Sequence, residues 1–267
     1  MQLYSIASGS SGNCIYLGEE DGGILIDAGI SRKRIVTGLE RKGLSLDDIK
    51  AIFITHEHSD HISGLGPVLR KNPIPVYATA DTVSAIWEKT NMNNISPELF
   101  HSIRPEEEIE AGEMLVRPFS ISHDAVDPVC YTVEKQGKRA AVATDMGCFD
   151  DTIIRVLGQC DSVLIEANHD INMLQVGSYP YSLKMRILGK KGHLSNDACG
   201  RLLKQLMAHK LHHVLLGHLS RDNNYPELAY ETVKYELTQE EGMVPGKDFV
   251  LKVACRNEPT PPILVQG

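Results

Sequence analysis

The sequence predicts a layered α/β domain on three observations. Short apolar runs of the buried-strand type alternate with stretches of helical period along the chain. Both halves repeat one theme of strands followed by helices. No Pro/Ser/Gly-rich linker, low-complexity tract or fixed-period repeat interrupts the 267 residues, whose 42% hydrophobic content can bury a full core. One domain over 1–267 is therefore expected.

The elements follow in order. A strand over 3–7 ends in the glycine-rich turn Ser8-Gly9-Ser10-Ser11-Gly12-Asn13. Strands over 14–17 and 23–26 come next, the second stopping at Asp27-Ala28-Gly29. Ile30, Ile35 and Leu39 stand at near-helical spacing and put a helix over 31–42. The apolar run over 51–55 reads as a buried strand. Helices over 64–71 and 81–90 flank a strand at 76–78. An acidic turn at 106–110 precedes strands at 114–122, 129–134 and 139–143, the last two joined by Gln136-Gly137-Lys138. The chain closes with a strand at 162–165, helices at 183–188 and 196–209, and a strand at 213–216. In the helix over 196–209, Ala198, Leu202, Leu203, Leu206 and Met207 form one apolar stripe for core packing.

Composition narrows the function. A net charge of −8 creates no global field for nucleic acid, so polyanion binding has to come from local basic groups. The six cysteines are scattered without a C-x-x-C pair and read as buried thiols in a reducing compartment. The N-terminus lacks a basic segment followed by a sustained apolar one, and no stretch approaches the roughly 18 apolar residues of a membrane span. A cytoplasmic protein with no membrane partner is expected.

Reactive side chains gather behind the strands. Asp27, His56, His123, Asp145 and His218 all fall at C-terminal ends of predicted strands, where layered folds carry their chemistry on loops. The run Thr55-His56-Glu57-His58-Ser59-Asp60-His61 is dense in metal-ligating groups. Alternation sends His56 and His58 to one side of the backbone, while Asp60 and His61 can turn to a neighbouring point, so two adjacent cations can be served. Isolated histidines such as His123 and His218 are ordinarily surface or core residues; their placement after strands makes them candidate ligands. Asp145 ends an apolar strand, where an unpaired carboxylate is costly to bury and bridging two cations would remove that cost. Two divalent ions are implied, with zinc or manganese expected before iron, although imidazole and carboxylate donors suit all three alike and do not by themselves identify the metal. His101, His209, His212 and His213 lack this setting.

These motifs resemble those of the metallo-β-lactamase superfamily, Asp27 matching the first, His56 to His61 the second, His123 the third, Asp145 the fourth and His218 the fifth. The resemblance implies a four-layer αββα sandwich. It also implies His56, His58 and His123 on one metal, Asp60, His61 and His218 on the other, Asp145 bridging, and Asp27 orienting the histidine loop from behind. Three longer strings are similar to the bacterial YycJ/WalJ group: residues 3–13, Glu166-Ala167-Asn168-His169-Asp170, and residues 179–196 with Gly192-His193-Leu194-Ser195-Asn196. That group is regarded as 5′-to-3′ DNA exonucleases linked to mismatch repair, so the resemblance implies DNA as partner.

A bridging carboxylate at Asp145 argues for phosphodiesters or thioesters and against β-lactams, whose zinc hydrolases commonly have cysteine or no bridging acid there. His193 resembles the histidine of transfer-RNA 3′-processing endonucleases that protonates the leaving oxygen, with Glu166 as its supporting glutamate, although the intervening segment is longer here. A helix-entry residue bonded to backbone is the alternative for His193. Asp60 is expected to accept the nucleophile's proton. Lys184, Arg186, Lys190 and Lys191 form either a nucleic-acid clamp or a solvated helix face. Ser10, Asn13, Asn168 and His169 complete the expected substrate contacts, while Tyr179 and Tyr181 either stack a base or pack. The expected function is a binuclear metal-dependent phosphodiesterase acting as a 5′-to-3′ DNA exonuclease. Its rivals are a small-molecule phosphodiesterase or thioester hydrolase, and a non-catalytic metal-stabilised regulatory module.

Overall fold

Alternating burial along the strands decides the architecture, because successive side chains of one strand face opposite sides of its sheet. In the computed structural model, which describes residues 1–239 and 243–265, each sheet buries both faces. The first half supplies β1 (Gln2–Ala7), β2 (Cys14–Glu19), β3 (Gly22–Ile26), α1 (Arg32–Glu40), β4 (Ile49–Phe53), the short α2 (Ser59–Ile62), α3 (Leu65–Leu69), β5 (Val76–Thr79), α4 (Ala80–Lys89) and β6 (Phe100–Ile103). The chain then crosses to β7 (Ile109–Ala111), β8 (Met114–Ser120), β9 (Val129–Lys135), β10 (Lys138–Ala143), α5 (Asp151–Leu157) and β11 (Ser162–Glu166). After α6 (Ile171–Val176), α7 (Tyr181–Leu188), α8 (Asn196–Met207), β12 (His213–Gly217), α9 (Pro226–Thr238) and β13 (Val250–Val253), β14 (Ile263–Leu264) returns to the first sheet.

The two seven-stranded sheets run β14-β1-β2-β3-β4-β5-β6 and β13-β12-β11-β10-β9-β8-β7. Between them lies an apolar layer in which Leu17, Ile24 and Phe53 of the first sheet meet Val133, Val142 and Leu164 of the second. The Phe53 and Tyr131 rings meet edge to face across it, 5.4 Å between centroids. The opposite strand faces are covered by helices. Leu25 and Ile52 share one cluster with Ile35 and Leu39 of α1, and Ala141 and Ile165 another with Leu202, Leu203 and Leu206 of α8. Four layers result, the αββα sandwich that the resemblance implies.

Several expectations are corrected. Part of the acidic turn at 106–110 is strand β7, which pairs with β8 through Ile109 and Val116 and is too short to show alternation in sequence. β6, β13 and β14 lie at or near sheet edges with equally weak patterns. The helices α5, α6 and α9 were also unexpected. Local capping starts α5, where Asp150 accepts from the Thr152 and Ile153 N–H groups, and Pro226 opens α9. Cys148 and Cys255 are exposed rather than buried, Cys148 in the loop leaving β10 and Cys255 just past β13.

Close packing at one glycine fixes the histidine loop. Asn13 N–H donates to the Asp60 carbonyl at 2.8 Å and Ala28 N–H to that of His61 at 2.9 Å. A Cβ on Gly29 would fall 1.6 Å from the Asp60 carbonyl oxygen. Gly29→Ala should therefore destabilise the fold by about 1–3 kcal/mol, lowering Tm by roughly 2–10 °C, and should weaken divalent-metal uptake. Thermal melts and a metal titration check this; unchanged values for both would show that the loop tolerates displacement.

Candidate metal centre

Three sharp backbone turns deliver the centre. Asp27, Asp145 and His218, each just past the end of β3, β10 or β12, have φ of 62°, 62° and 52°. Left-handed backbone is uncommon for residues other than glycine, though Asp and His tolerate it better than most. Among the described residues these three are half of the six non-glycine residues with positive φ, and all three bring a side chain to one centre. Strain concentrated in this way marks a functional site.

Seven of the expected side chains converge. His56 Nε2 lies 3.1 Å from His58 Nδ1, which is 3.3 Å from His123 Nε2. Asp60 Oδ2 lies 3.4 Å from both His61 Nε2 and His218 Nε2. Between the groups stands Asp145, with Oδ2 3.3 Å from His61 Nε2 and Oδ1 3.5 Å from His218 Nε2 and 3.7 Å from His123 Nε2. His56, His58 and His123 have ligand atoms within 4.8 Å of one another, as do Asp60, His61 and His218.

The donors fit a dinuclear site because their far sides are occupied and their near sides face one another. His61 Nδ1 meets Asp27 Oδ2 at 2.7 Å, His56 Nδ1 meets Thr55 Oγ1 at 3.0 Å and His123 Nδ1 meets the Gly192 carbonyl at 3.1 Å. Such partners orient an imidazole and leave its other nitrogen to ligate. Asp145 Oδ2 is buried without a hydrogen-bond partner. A buried carboxylate so placed calls for a cation.

Electrostatics agree. Burial disfavours charged imidazoles, but Asp27, Asp60 and Asp145 outweigh it and hold His61 well above the ordinary histidine range. Against the same burial, Asp145, Asp60 and Glu166 raise His218 to about 10. Burial and the neighbouring His61 instead push His56 well down. Burial opposes ionised acids, yet His61 and His218 keep Asp60, and His193 and His218 keep Glu166, well below the usual carboxylate range. Protons and cations compete for these donors, so metal affinity falls with pH.

A second layer was only partly visible in sequence. Thr55, given no role there, places Oγ1 3.0 Å from each Asp27 carboxylate oxygen and 3.2 Å from His61 Nδ1. Its only sequence signal is its position directly before His56. Ser8 accepts from the His218 N–H at 2.9 Å. Glu166 is buried, takes the Met146 and Leu194 N–H groups on Oε1 at 2.6 and 3.0 Å, and holds His193 Nδ1 on Oε2 at 3.1 Å. His193 Nδ1 is also 3.6 Å from Asp145 Oδ1, and its side chain is 19% exposed. The N-cap of α8 is Ser195, not His193.

The expected substrate contacts are spread more widely. Ser10 is exposed on its turn. Asn13 is buried, with Nδ2 3.2 Å from His61 Nε2, and Asn168 donates to the His218 carbonyl at 3.0 Å, so both face inward. Lys184 Nζ is taken up by the Gln175 and Gly177 carbonyls at 2.7 and 2.6 Å, and Arg186 pairs with Asp124. His169 is buried with neither ring nitrogen hydrogen-bonded, and burial pushes it down to about 4.

Comparison with known proteins agrees with this geometry. The profile described as beta-lactamase superfamily domain matches residues 23–218. The chain belongs to the beta-lactamase superfamily, and within it to the YycJ/WalJ group. It is 34% identical over 255 residues to exodeoxyribonuclease YycJ of Bacillus anthracis, covering 96% of each chain. To exodeoxyribonuclease WalJ of Streptococcus pneumoniae serotype 2 it is 38% identical over 259 residues, covering 97% of this chain and 96% of the relative. The zinc-bound PqqB of Methylobacterium extorquens shares the fold with a TM-score of 0.70 at 14% identity, covering 98% of this chain and all of that one (100%).

Two outcomes follow from the geometry. Asp27→Asn loses the charge behind His61 and should lower divalent-metal affinity roughly 10–100-fold; a competition titration against a chelator reads it, and unchanged affinity would remove the orienting role. His169 has a folded pKa of about 4 against an ordinary 6.5, so the unfolded chain binds more protons between those values and stability drops as pH falls through that window. Urea melts from pH 6.5 to 4 should show a shallower decline for His169→Phe than for wild type. Parallel declines would contradict this.

Proposed function

We propose that the chain, folded as one domain over 1–267, is a binuclear metal-dependent phosphodiesterase that removes nucleotides from the 5′ end of DNA. The observation that carries this reading is His193 beside Asp145 with Glu166 behind it, in a chain whose near full-length relatives are named exodeoxyribonucleases. His56, His58 and His123 would hold one cation, Asp60, His61 and His218 the other, and Asp145 both. Two bound divalent cations, zinc or manganese or else iron, supply Lewis acidity that acidifies water and offsets phosphoryl charge.

The chain's own groups handle the protons. Asp60, whose side chain is 22% exposed, accepts a proton from the attacking water. The water oxygen bonds to phosphorus as the bond to the 3′-oxygen breaks, and His193 gives its proton to that departing oxygen. Glu166 is a positioning residue that holds the His193 ring. DNA is the partner in this reading. Among the described residues no helix is long and apolar enough to cross a membrane, and the reading puts the protein in the cytoplasm. Of the basic run, Lys190 and Lys191 are left for a DNA backbone, exposed and without an ion-pair partner among the described residues. A small-molecule phosphodiesterase or thioester hydrolase is the second reading, favoured by the net charge of −8 and the internal engagement of Lys184 and Arg186.

His193→Ala should keep fold and metal content while turnover of a 5′-phosphorylated duplex falls roughly 100- to 10,000-fold. Unchanged turnover would remove the acid assignment. A wild-type protein that cleaves only thioesters would overturn the nuclease.

A further inference from the structure

One cavity shares His123 with the centre. It is an open cleft of about 430 Å³, within the roughly 300–1,000 Å³ of small-molecule pockets. Ser122, His123, Asp127, Cys148, Phe149 and Lys191 are among its lining residues. They come from the segments that also deliver His123, Asp145 and His193, and those segments are laced together. Ser122 Oγ donates to the Lys190 carbonyl at 2.8 Å, Gly147 N–H to the Ser122 carbonyl at 2.8 Å, and the Gly192 carbonyl faces His123 Nδ1 at 3.1 Å. A Cβ on Gly147 would fall 2.2 Å from the Lys190 carbonyl, so this packing leaves no slack. The cavity is thus fixed beside the metal ligands by the same contacts that hold His123.

Its chemistry is divided. Phe149 is half-buried, anchored on the apolar cluster beneath α8, and offers an aromatic surface. Lys191 is exposed, two residues before His193, with no ion-pair partner among the described residues. The wall bearing Asp127 is tied instead to the start of α4, where Thr79 Oγ1 donates to the Asp127 carbonyl at 2.9 Å. Asp150, the other acid in the lining, is occupied in capping α5. An aromatic face, an exposed cation and the Asp127 carboxylate, which has no ion pair among the described residues, suit a ligand with a flat ring, an anionic group and N–H donors. A nucleotide has all three.

We propose that this cavity holds the 5′-terminal nucleotide of the DNA, its base against Phe149 and its phosphate toward Lys191. The assignment rests on the nuclease reading: in a chain cut from its 5′ end the departing 3′-oxygen belongs to the terminal nucleotide, and His193, which protonates that oxygen, is carried by the segment that forms the cavity wall. Phe149 and Lys191 are then substrate-binding residues.

The test is a calorimetric titration of the metal-loaded protein with deoxyadenosine 5′-monophosphate and with deoxyribose 5-phosphate. Phosphate affinity for the metals is common to both ligands, so their difference isolates the base. Wild type should prefer the nucleotide by roughly 5- to 150-fold, the range of base stacking on an aromatic ring. Phe149→Ala should abolish that preference, Phe149→Tyr should retain it, and Lys191→Gln should weaken both ligands several-fold. No preference in wild type, or a preference that survives Phe149→Ala, overturns the cavity assignment. A duplex-degradation assay separates the two claims. Degradation without base preference removes the cavity and leaves the nuclease; base preference without degradation supports a nucleotide site and removes the nuclease.

Discussion

A carboxylate buried as deeply as that of Asp145, only 2% exposed, requires nearby positive charge. The rest of the molecule is arranged around meeting that requirement. Asp145 faces His61, His123 and His218, and one of its oxygens has no hydrogen bond. Imidazoles answer part of the demand by taking up protons, and divalent cations answer it more fully. Because burial excludes water, the same enclosure strengthens every charge interaction within the centre.

Holding that arrangement takes both sheets. Asp27 and the His56 to His61 loop leave the first sheet, whereas His123, Asp145, Glu166 and His218 leave the second. Their relative positions depend on the apolar layer between the sheets, where Phe53 meets Tyr131. Tight packing of that layer gives the loops a rigid base. A network behind the ligands then fixes individual rings, with Asp27 and Thr55 serving His56 and His61, and Glu166 serving His193 and His218. His193 and the candidate metal ligands therefore share one supporting framework.

Much of this was legible in the sequence, for physical reasons that differ by element. The strands feeding the centre carry strong apolar runs, so β1 to β4 and β8 to β12 were found within a few residues of their ends. Short edge strands such as β7 and locally capped helices such as α5 carry little periodic signal and were missed. Side chains in the histidine loop announced themselves by density. Thr55 did not, because a threonine at the end of a strand is ordinary until its hydroxyl is seen between Asp27 and two histidines. The basic run left two readings open, since composition does not reveal that Lys184 and Arg186 are engaged by the protein's own carbonyls and by Asp124.

The central claim, a pair of cations spanned by Asp145, is most directly tested by X-ray absorption on protein loaded with a single type of divalent ion. The account predicts two equivalents per chain, nitrogen and oxygen neighbours, and a metal–metal vector at about 3.5–4 Å. One equivalent per chain, or two with no such vector, would contradict it.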